Sequence, residues 1–290
     1  MSGQLRTLKK RIRSVESTQK ITRAMEMVSA AKLHRFQDMM DKGRAFARGL
    51  ENLLKRLRQS EKLSATHPFL EAREEKKRGL LLLTSDAGLC GSYNLDLFHS
   101  ARAFLEKYPN TLTILTVGKF GANLLTRAGY APARTFVDNR ISKIESVIGE
   151  LRTELNDLYL SGQVDSFYAV YGHFVSKTVY KTAVEKLLPL ETIREEEPGF
   201  PGSSVEYLFE PDENTIFKRL IPLFFESKVR QIFLEAFVSE QLARMQAMHL
   251  ATENATEMID SLVIQRNKVR QAAITTELTE IVSGSQALKR

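Results

Sequence analysis

The sequence predicts an α+α/β protein: a long antiparallel coiled coil of N- and C-terminal helices with an inserted α/β domain whose sheet is mostly parallel. Three observations carry this. Residues 223–283 contain neither glycine nor proline, and so do residues 4–42. Between about residues 76 and 210 the pattern changes to short apolar runs alternating with helical stretches. A continuous helix of ~60 residues would span ~90 Å at 1.5 Å per residue, too long for an ordinary core helix.

In the first helix Leu5, Leu8, Ile12, Val15, Thr22 and Met25 step by threes, fours and one seven, the spacing of a two-helix seam. After Met25 the apolar set slips by one residue and resumes at Leu33, Phe36 and Met40, which predicts a local change of supercoil. Gly43 and Gly49 weaken the helix without ending it, and Pro68 lies in a loop. Gly79–Thr84 and Thr111–Val117 read as buried strands, followed by helices over Leu95–Lys107 and Phe120–Arg127. An amphipathic stretch, Ile141–Leu160, precedes a strand at Ser166–Val175. Pro189, Pro198, Gly199, Pro201 and Gly202 make an irregular loop, and Val205–Phe209 is a candidate strand before the last helix.

The last helix carries its own narrow stripe at Val238, Leu242, Met245, Met248, Ala255, Ile259, Leu262 and Val269. A helix of this length needs a partner along that stripe. Two seams flanking one domain meet only if the helices run antiparallel. The domains expected are 1–60 (N-terminal coiled-coil helix), 76–210 (α/β foot) and 211–290 (C-terminal helix with an overhanging tip). With Arg58 level with Asp212, the first helix reaches only to about Arg266 of its partner. The overhang holds Val269, Ala272, Ala273, Ile274, Leu278, Ile281 and Val282, too apolar for a frayed end. It is expected to bind another protein; the alternative is a dimer in which two overhangs pair.

At 290 residues, with 43% hydrophobic and 27% charged content, the chain has material for one modest core. No apolar run approaches the roughly 18 to 20 residues of a membrane span. The single cysteine, Cys90, excludes an intrachain disulfide framework. Charge is unevenly placed: residues 1–60 hold 15 Lys+Arg against 5 Asp+Glu, residues 61–210 hold 17 against 20, and residues 211–290 hold 10 against 10. The basic excess therefore lies wholly at the N-terminus, a face suited to nucleic acid, anionic lipid or an acidic protein. Arg6, Lys9, Lys10, Arg11 and Arg13, opposed only by Glu16, superficially look like a transit peptide.

The loop from Leu83 to Asn94 follows a strand and contains Gly88 and Gly91, but at GxxG spacing, without the three-glycine dinucleotide pattern. Gly118-Lys119 lacks both the upstream glycine and the following Ser/Thr of a phosphate loop. His34, His67, His99, His173 and His249 show no metal-ligand spacing, and no carboxylate pair is placed for acid/base work. No catalytic constellation and no cofactor are expected. Two other classes stay open on the residues alone, a nucleic-acid-binding or adaptor coiled coil using the basic helix and an α/β enzyme using the loop after Leu83.

Five segments resemble one family in order along the whole chain: Ile12 to Val15 with Thr18 to Val28, Ser85 to Asn94, Tyr207 to Pro211, Ser239 to Met245, and Arg270 to Gly284. The family is the gamma subunit of F-type ATP synthase, of bacterial type. The family's motifs begin within the first dozen or so residues, so nothing is expected to be cleaved. The resemblance implies a non-catalytic rotor shaft, one copy per complex, enclosed by three alpha and three beta subunits, with the foot joined to epsilon and the c ring. It would couple transmembrane ion flow through that ring to ATP synthesis or hydrolysis on beta. It would sit on the cytoplasmic face of the bacterial membrane, held there only through the complex, and no nucleic acid is implied. Met25 and Arg244 match positions that meet the acidic lever region of beta. Gln271 and Thr275 match a second contact with beta, and Phe209 and Glu210 match foot positions facing the c ring. Ala87 stands where the family often has arginine.

Overall fold

The computed structural model describes residues 2–58, 63–137, 143–191 and 209–287. The chain divides into two compact units, Met1–Ala30 with Arg244–Arg290, and Ala31–Ala243. The elements are α1 (Ser2–Arg58), a 3-10 turn (Pro68–Leu70), β1 (Arg78–Leu83), α2 (Tyr93–Lys107), β2 (Thr111–Val117), α3 (Lys119–Arg127), β3 (Arg134–Phe136), α4 (Ile144–Leu160), β4 (Ser166–Ser176), β5 (Val179–Leu188) and α5 (Glu213–Ala287). Most of the expected strand Val205–Phe209, the loop residues Pro198, Gly199, Pro201 and Gly202, and the start of the helix at Ile141 lie outside the described residues.

In the larger unit the sheet runs in the order β3-β2-β1-β4-β5. The first four strands are parallel and β5 returns antiparallel beside β4. Strand β1 is central and reads as a continuous apolar run, as a parallel strand covered on both faces must. One face carries Leu80, Leu82, Ile114 and Val170, packed against Tyr93, Leu97, Ala101 and Phe104 of α2 and Leu125 of α3. Helix α4 buries a stripe of Ile144, Val147, Ile148, Leu151, Leu155 and Tyr159. Phe69, from the 3-10 turn, wedges against both Tyr159 and Phe225, joining α4 to α5. Strands β3 and β5 were not expected from the sequence. The first has three residues; the second is an edge strand with polar residues along its length.

Both long helices pass through residues that weaken helices. In α1 the buried positions Phe36, Met40, Leu50, Leu54 and Leu57 repeat by threes, fours and a ten, and Gly43 falls between them on the same stripe. A Cβ there would meet Gln231 Oε1 at 3.7 Å. Packing of the stripe, rather than propensity, carries the helix past Gly43 and Gly49. Helix α5 likewise continues through Pro222, flanked by buried Phe217, Ile221, Phe224 and Phe225. From Ile232 to Ala243 every residue of α5 is buried, so this part of the helix is enclosed on all sides.

In the smaller unit residues 2–30 of α1 and 244–287 of α5 run antiparallel. Gln19 Nε2 donates to Thr256 Oγ1 at 2.7 Å, the Thr22 and Thr252 hydroxyls meet at 2.8 Å, and His249 Nδ1 lies 2.9 Å from Glu26 Oε1. These pairs bring Gln4 level with about residue 271, one turn beyond the expected Arg266. Val269 is accordingly not part of the overhang: with Val15 and Val263 it packs against Leu8, Ile12 and Leu262.

The expected slip after Met25 is also corrected. A stripe of buried or half-buried positions of α1 runs Leu8, Ile12, Val15, Gln19, Thr22, Glu26 and Ser29 in an unbroken alternation of fours and threes, with half-buried Met25 at its flank, and Leu33, Phe36 and Met40 keep the same step. Gln19 and Glu26 join the expected Thr22 as polar seam residues, because each of the three has a partner on α5.

Candidate functional site

The loop after β1 is closed on itself. Ser85, fully buried, donates its backbone N–H to Asn94 Oδ1 at 3.0 Å, and Asn94 Nδ2 donates back to Ser85 Oγ at 2.7 Å and to Cys90 Sγ at 3.2 Å. Asp86 Oδ1 accepts from the Lys119 N–H at 3.0 Å, tying the loop to the start of α3. The polar groups that looked like a ligand site therefore bond to one another. Gly118 has a packing role: at φ +89°, a Cβ there would stand 2.3 Å from the Thr84 carbonyl oxygen. Among the described residues no group of His, Cys, Asp or Glu could hold a metal ion.

In the smaller unit Met25 is half-buried, while Arg244 has only 7% of its surface exposed. In the observed register Met25 is level with about residue 250, one to two turns from Arg244. The two residues thus do not form a single patch. The cations Arg6, Lys9, Lys10, Arg11, Arg13, Lys20 and Arg23 are all exposed, so the N-terminal charge excess is a solvent-facing array around the seam.

The last turns of α5 differ from the rest. Gln271, Ile274, Thr275, Leu278, Ile281 and Val282 recur at i, i+3, i+4, i+7, i+10 and i+11, one face of a helix. All six are exposed, with Ile274 at 49%, Leu278 at 58%, Ile281 at 68% and Val282 at 55%. Thr275 Oγ1 donates to the Gln271 carbonyl at 3.0 Å. Neighbouring threonines do the same, Thr276 to Ala272 and Thr279 to Thr275.

At the other end of α5, in the larger unit, Phe209 is half-buried and Glu210 exposed. They precede Asp212, whose carboxylate accepts from the Thr215 N–H at 2.9 Å and from Thr215 Oγ1 at 2.7 Å, capping the helix. Those hydrogen bonds hold the Asp212 carboxyl below its ordinary range. Asn214 Oδ1 accepts from the backbone N–H groups of Ser64 at 3.0 Å and Ala65 at 2.8 Å, anchoring the segment after α1 beside the start of α5.

A family model described as ATP synthase matches residues 4–288. An ATP synthase gamma chain of Desulforamulus reducens is 39% identical over 284 residues, 98% of this chain and 99% of the relative. The chain belongs to the ATP synthase gamma chain family. A gamma chain of Moorella thermoacetica is 39% identical over 98% of this chain and 99% of its own length, and one of Symbiobacterium thermophilum is 35% identical over the full length of both. Among solved structures, a chain of the Euglena gracilis mitochondrial ATP synthase OSCP/F1/c-ring assembly superposes with TM-score 0.68 at 19% identity, covering 99% of this chain and 95% of that one. A rotor chain of the same enzyme superposes with TM-score 0.63 at 18% identity, over 94% and 100%. At these identities the likeness is one of fold.

Within the gamma fold, the sequence-matched positions fall into three separate places: Met25 and Arg244 on the paired helices, Gln271 and Thr275 on the exposed end of α5, and Phe209 with Glu210 ahead of the Asp212 cap. Sequence reasoning placed Thr22 in the seam but missed its pairing with Thr252 and the pairs made by Gln19 and Glu26. A search for partnered polar residues at the same threes-and-fours spacing would have found them.

Proposed function

We propose that this chain is the rotor subunit of an F-type ATP synthase, passing rotation between a membrane c ring and the beta subunits that carry the chemistry. The observation that carries the reading is the exposed apolar face from Gln271 to Val282. It continues a paired helix beyond its partner, as a segment enclosed by other chains would. A gamma chain is itself non-catalytic; its partners are alpha, beta, epsilon and the c ring, and it is part of the F1 assembly. No described helix is long and apolar enough to cross a membrane, so the chain reaches the membrane through its partners.

We assign the finer roles as follows. Met25, Arg244, Gln271 and Thr275 meet beta, and Phe209 and Glu210 face the c ring. An arginine suits a carboxylate-rich partner because its planar fork makes paired charge-assisted hydrogen bonds. The burial of Arg244 in the chain alone means that its contact with beta shares the guanidinium with interactions inside gamma. The exposed N-terminal cations face the acidic inner surface of the beta subunits. In functional terms residues 1–60 and 211–290 are the shaft and 76–210 the foot, at the cytoplasmic face of a bacterial membrane.

The test is ATP hydrolysis by the isolated chain, by alpha plus beta subunits from the same source, and by all three after size exclusion. A silent chain that co-elutes with alpha and beta and raises their steady turnover supports the rotor reading. Failure to co-elute removes the main partner and leaves a coiled-coil adaptor.

A further inference from the structure

Within the larger unit, α5 meets the sheet and α1 through a belt of directional polar contacts centred on Glu235. The Glu235 side chain is 7% exposed, yet it is reached from three elements. Arg44 Nη2 on α1 donates to Oε1 at 3.1 Å, and Gln231 Nε2, one turn back on α5, donates to the same oxygen at 2.9 Å. His173 Nδ1 on β4 lies 2.6 Å from Oε2; a carboxylate accepts, so Nδ1 carries the hydrogen. One turn along α5, Ser239 Oγ donates to the Gly172 carbonyl at 2.7 Å, and Tyr93 OH of α2 donates to the Ala236 carbonyl at 2.9 Å. Gly172 permits the approach, since a Cβ there would lie 2.7 Å from the Tyr93 ring and 2.8 Å from Ser239 Cβ.

Apolar packing alone does not explain this arrangement. Around the belt α5 already packs apolar groups, with Phe237 against Phe36 at 5.1 Å and against Phe233 at 5.2 Å. Such contacts are non-directional. A helix twisted about its own axis can leave one groove and settle in the next at modest cost, whereas hydrogen bonds weaken steeply once their angles open. A buried carboxylate is also costly unless its partners stay in place, so any rotation of α5 against the sheet strips Glu235 of compensation.

We propose that Glu235 is a positioning residue that fixes the rotational setting of α5 against the sheet and α1, so that torque applied to the α/β part enters the helix without slip. The proposal rests on the rotor reading above. His173 and Arg44 are its anchors on the two neighbouring elements, and both approach from the surface, with side chains 45% and 34% exposed.

The test uses the whole complex in sealed vesicles, with ATP hydrolysis and ion movement, read by a potential-sensitive dye, measured together against increasing opposing potential. Glu235→Gln keeps the shape and loses the charge; His173→Ala removes one anchor from an accessible position and serves if the first variant does not assemble. Leu151→Ala on α4 is the control for mere destabilisation, being fully buried and outside the belt. Losing a charge-assisted bond is expected to make slip about tenfold more frequent. Ions moved per ATP should therefore fall in both belt variants, and fall further as the opposing potential rises, while Leu151→Ala lowers the melting temperature and leaves the ratio alone. An unchanged ratio in the belt variants at every potential, or an equal fall in Leu151→Ala, overturns the assignment. If the unaltered complex itself moves no ions with hydrolysis, the rotor reading fails first and independently.

Discussion

Replacing Ile274, Leu278, Ile281 and Val282 together by glutamine separates binding from folding at the C-terminal end of α5. All four are about half exposed or more, at 49%, 58%, 68% and 55%, so the folded chain hides little of them. Glutamine matches or exceeds isoleucine and valine as a helix former, and exposed substitutions of this kind stay within about 0.5 kcal/mol each. The free chain should therefore melt within a few degrees of the original. Enclosure by alpha and beta is different. Full burial of such a side chain contributes ~1.5–3 kcal/mol relative to exposure, and roughly half of that remains to be gained here, about 1 kcal/mol per residue. After side-chain ordering, about 3 kcal/mol of the four survives, a loss of about 100-fold in affinity. A thermal melt of the free chain and a titration of the labelled chain with alpha plus beta read the two quantities. Unchanged affinity would show that the partners do not enclose the face, and a melt lowered by much more than a few degrees would show that it packs inside the chain; either would remove the main support for the rotor reading.

Arg244→Ala should weaken coupling in the assembled complex and, because the residue is 7% exposed, also cost the free chain about 1–3 kcal/mol; Arg244→Lys restores charge but not the forked geometry, and ion movement per ATP should recover only in part. Burial pushes the Glu75 carboxyl up, but hydrogen bonds from Lys186, Tyr168 and Arg78 outweigh it and leave it below its ordinary value of 4.5. Its stabilisation is thus present above that value and lost as pH falls through the lowered one, so Glu75→Gln should flatten the acid limb of a melting-versus-pH curve. Lys186 behaves oppositely: burial lowers it, hydrogen bonds to Glu191 and Glu75 raise it further, and its contribution, full below 10.5, is lost as pH rises through the raised value. Gly118→Ala combines a φ of +89° with a Cβ 2.3 Å from the Thr84 oxygen, and should cost about 3 kcal/mol or more in a melt, without any change in nucleotide binding by the chain.

The parts of this fold that were legible in the sequence are those in which residue type and burial agree. Strands β1, β2 and β4 are apolar runs, and both long helices announce themselves by long stretches, 4–42 and 223–283, without glycine or proline. Strand β5 was not legible because Lys181, Thr182, Glu185 and Lys186 lie along an edge, where only Leu187 and Leu188 are fully covered. The exposed face at Gln271 and Thr275 could be reached from helix lengths alone, though a register set from the wrong loop residues placed it one turn early. Glu235 could not be reached, because its partners Arg44 and His173 lie 191 and 62 residues away and none of the three stands out by type or spacing.

The polar seam of the smaller unit poses the same question as the Glu235 belt, whether polar groups between helices serve stability or setting. Thr22 Oγ1 has the Gln19 carbonyl at 3.0 Å and the Thr252 hydroxyl at 2.8 Å, and Thr252 Oγ1 has the Met248 carbonyl at 2.8 Å. Two hydroxyl hydrogens serve three contacts, so one contact is always compromised. Thr22→Val alone leaves Thr252 with its own-helix acceptor and should cost about 1 kcal/mol, as should Thr252→Val, whereas the double change replaces both partners with apolar groups of the same shape and should be neutral or stabilising. A double-mutant cycle read by thermal melting measures this, with a coupling of about 1–2 kcal/mol expected. The cost of the double change should appear elsewhere: valines at both positions pack equally well one heptad along, whereas hydroxyls bond only to each other. Spin labels on α1 and α5 should then report a second, shifted distance in the double variant. A single distance, together with additive losses, would mean that the hydroxyls stabilise the pair and the apolar seam alone sets its register.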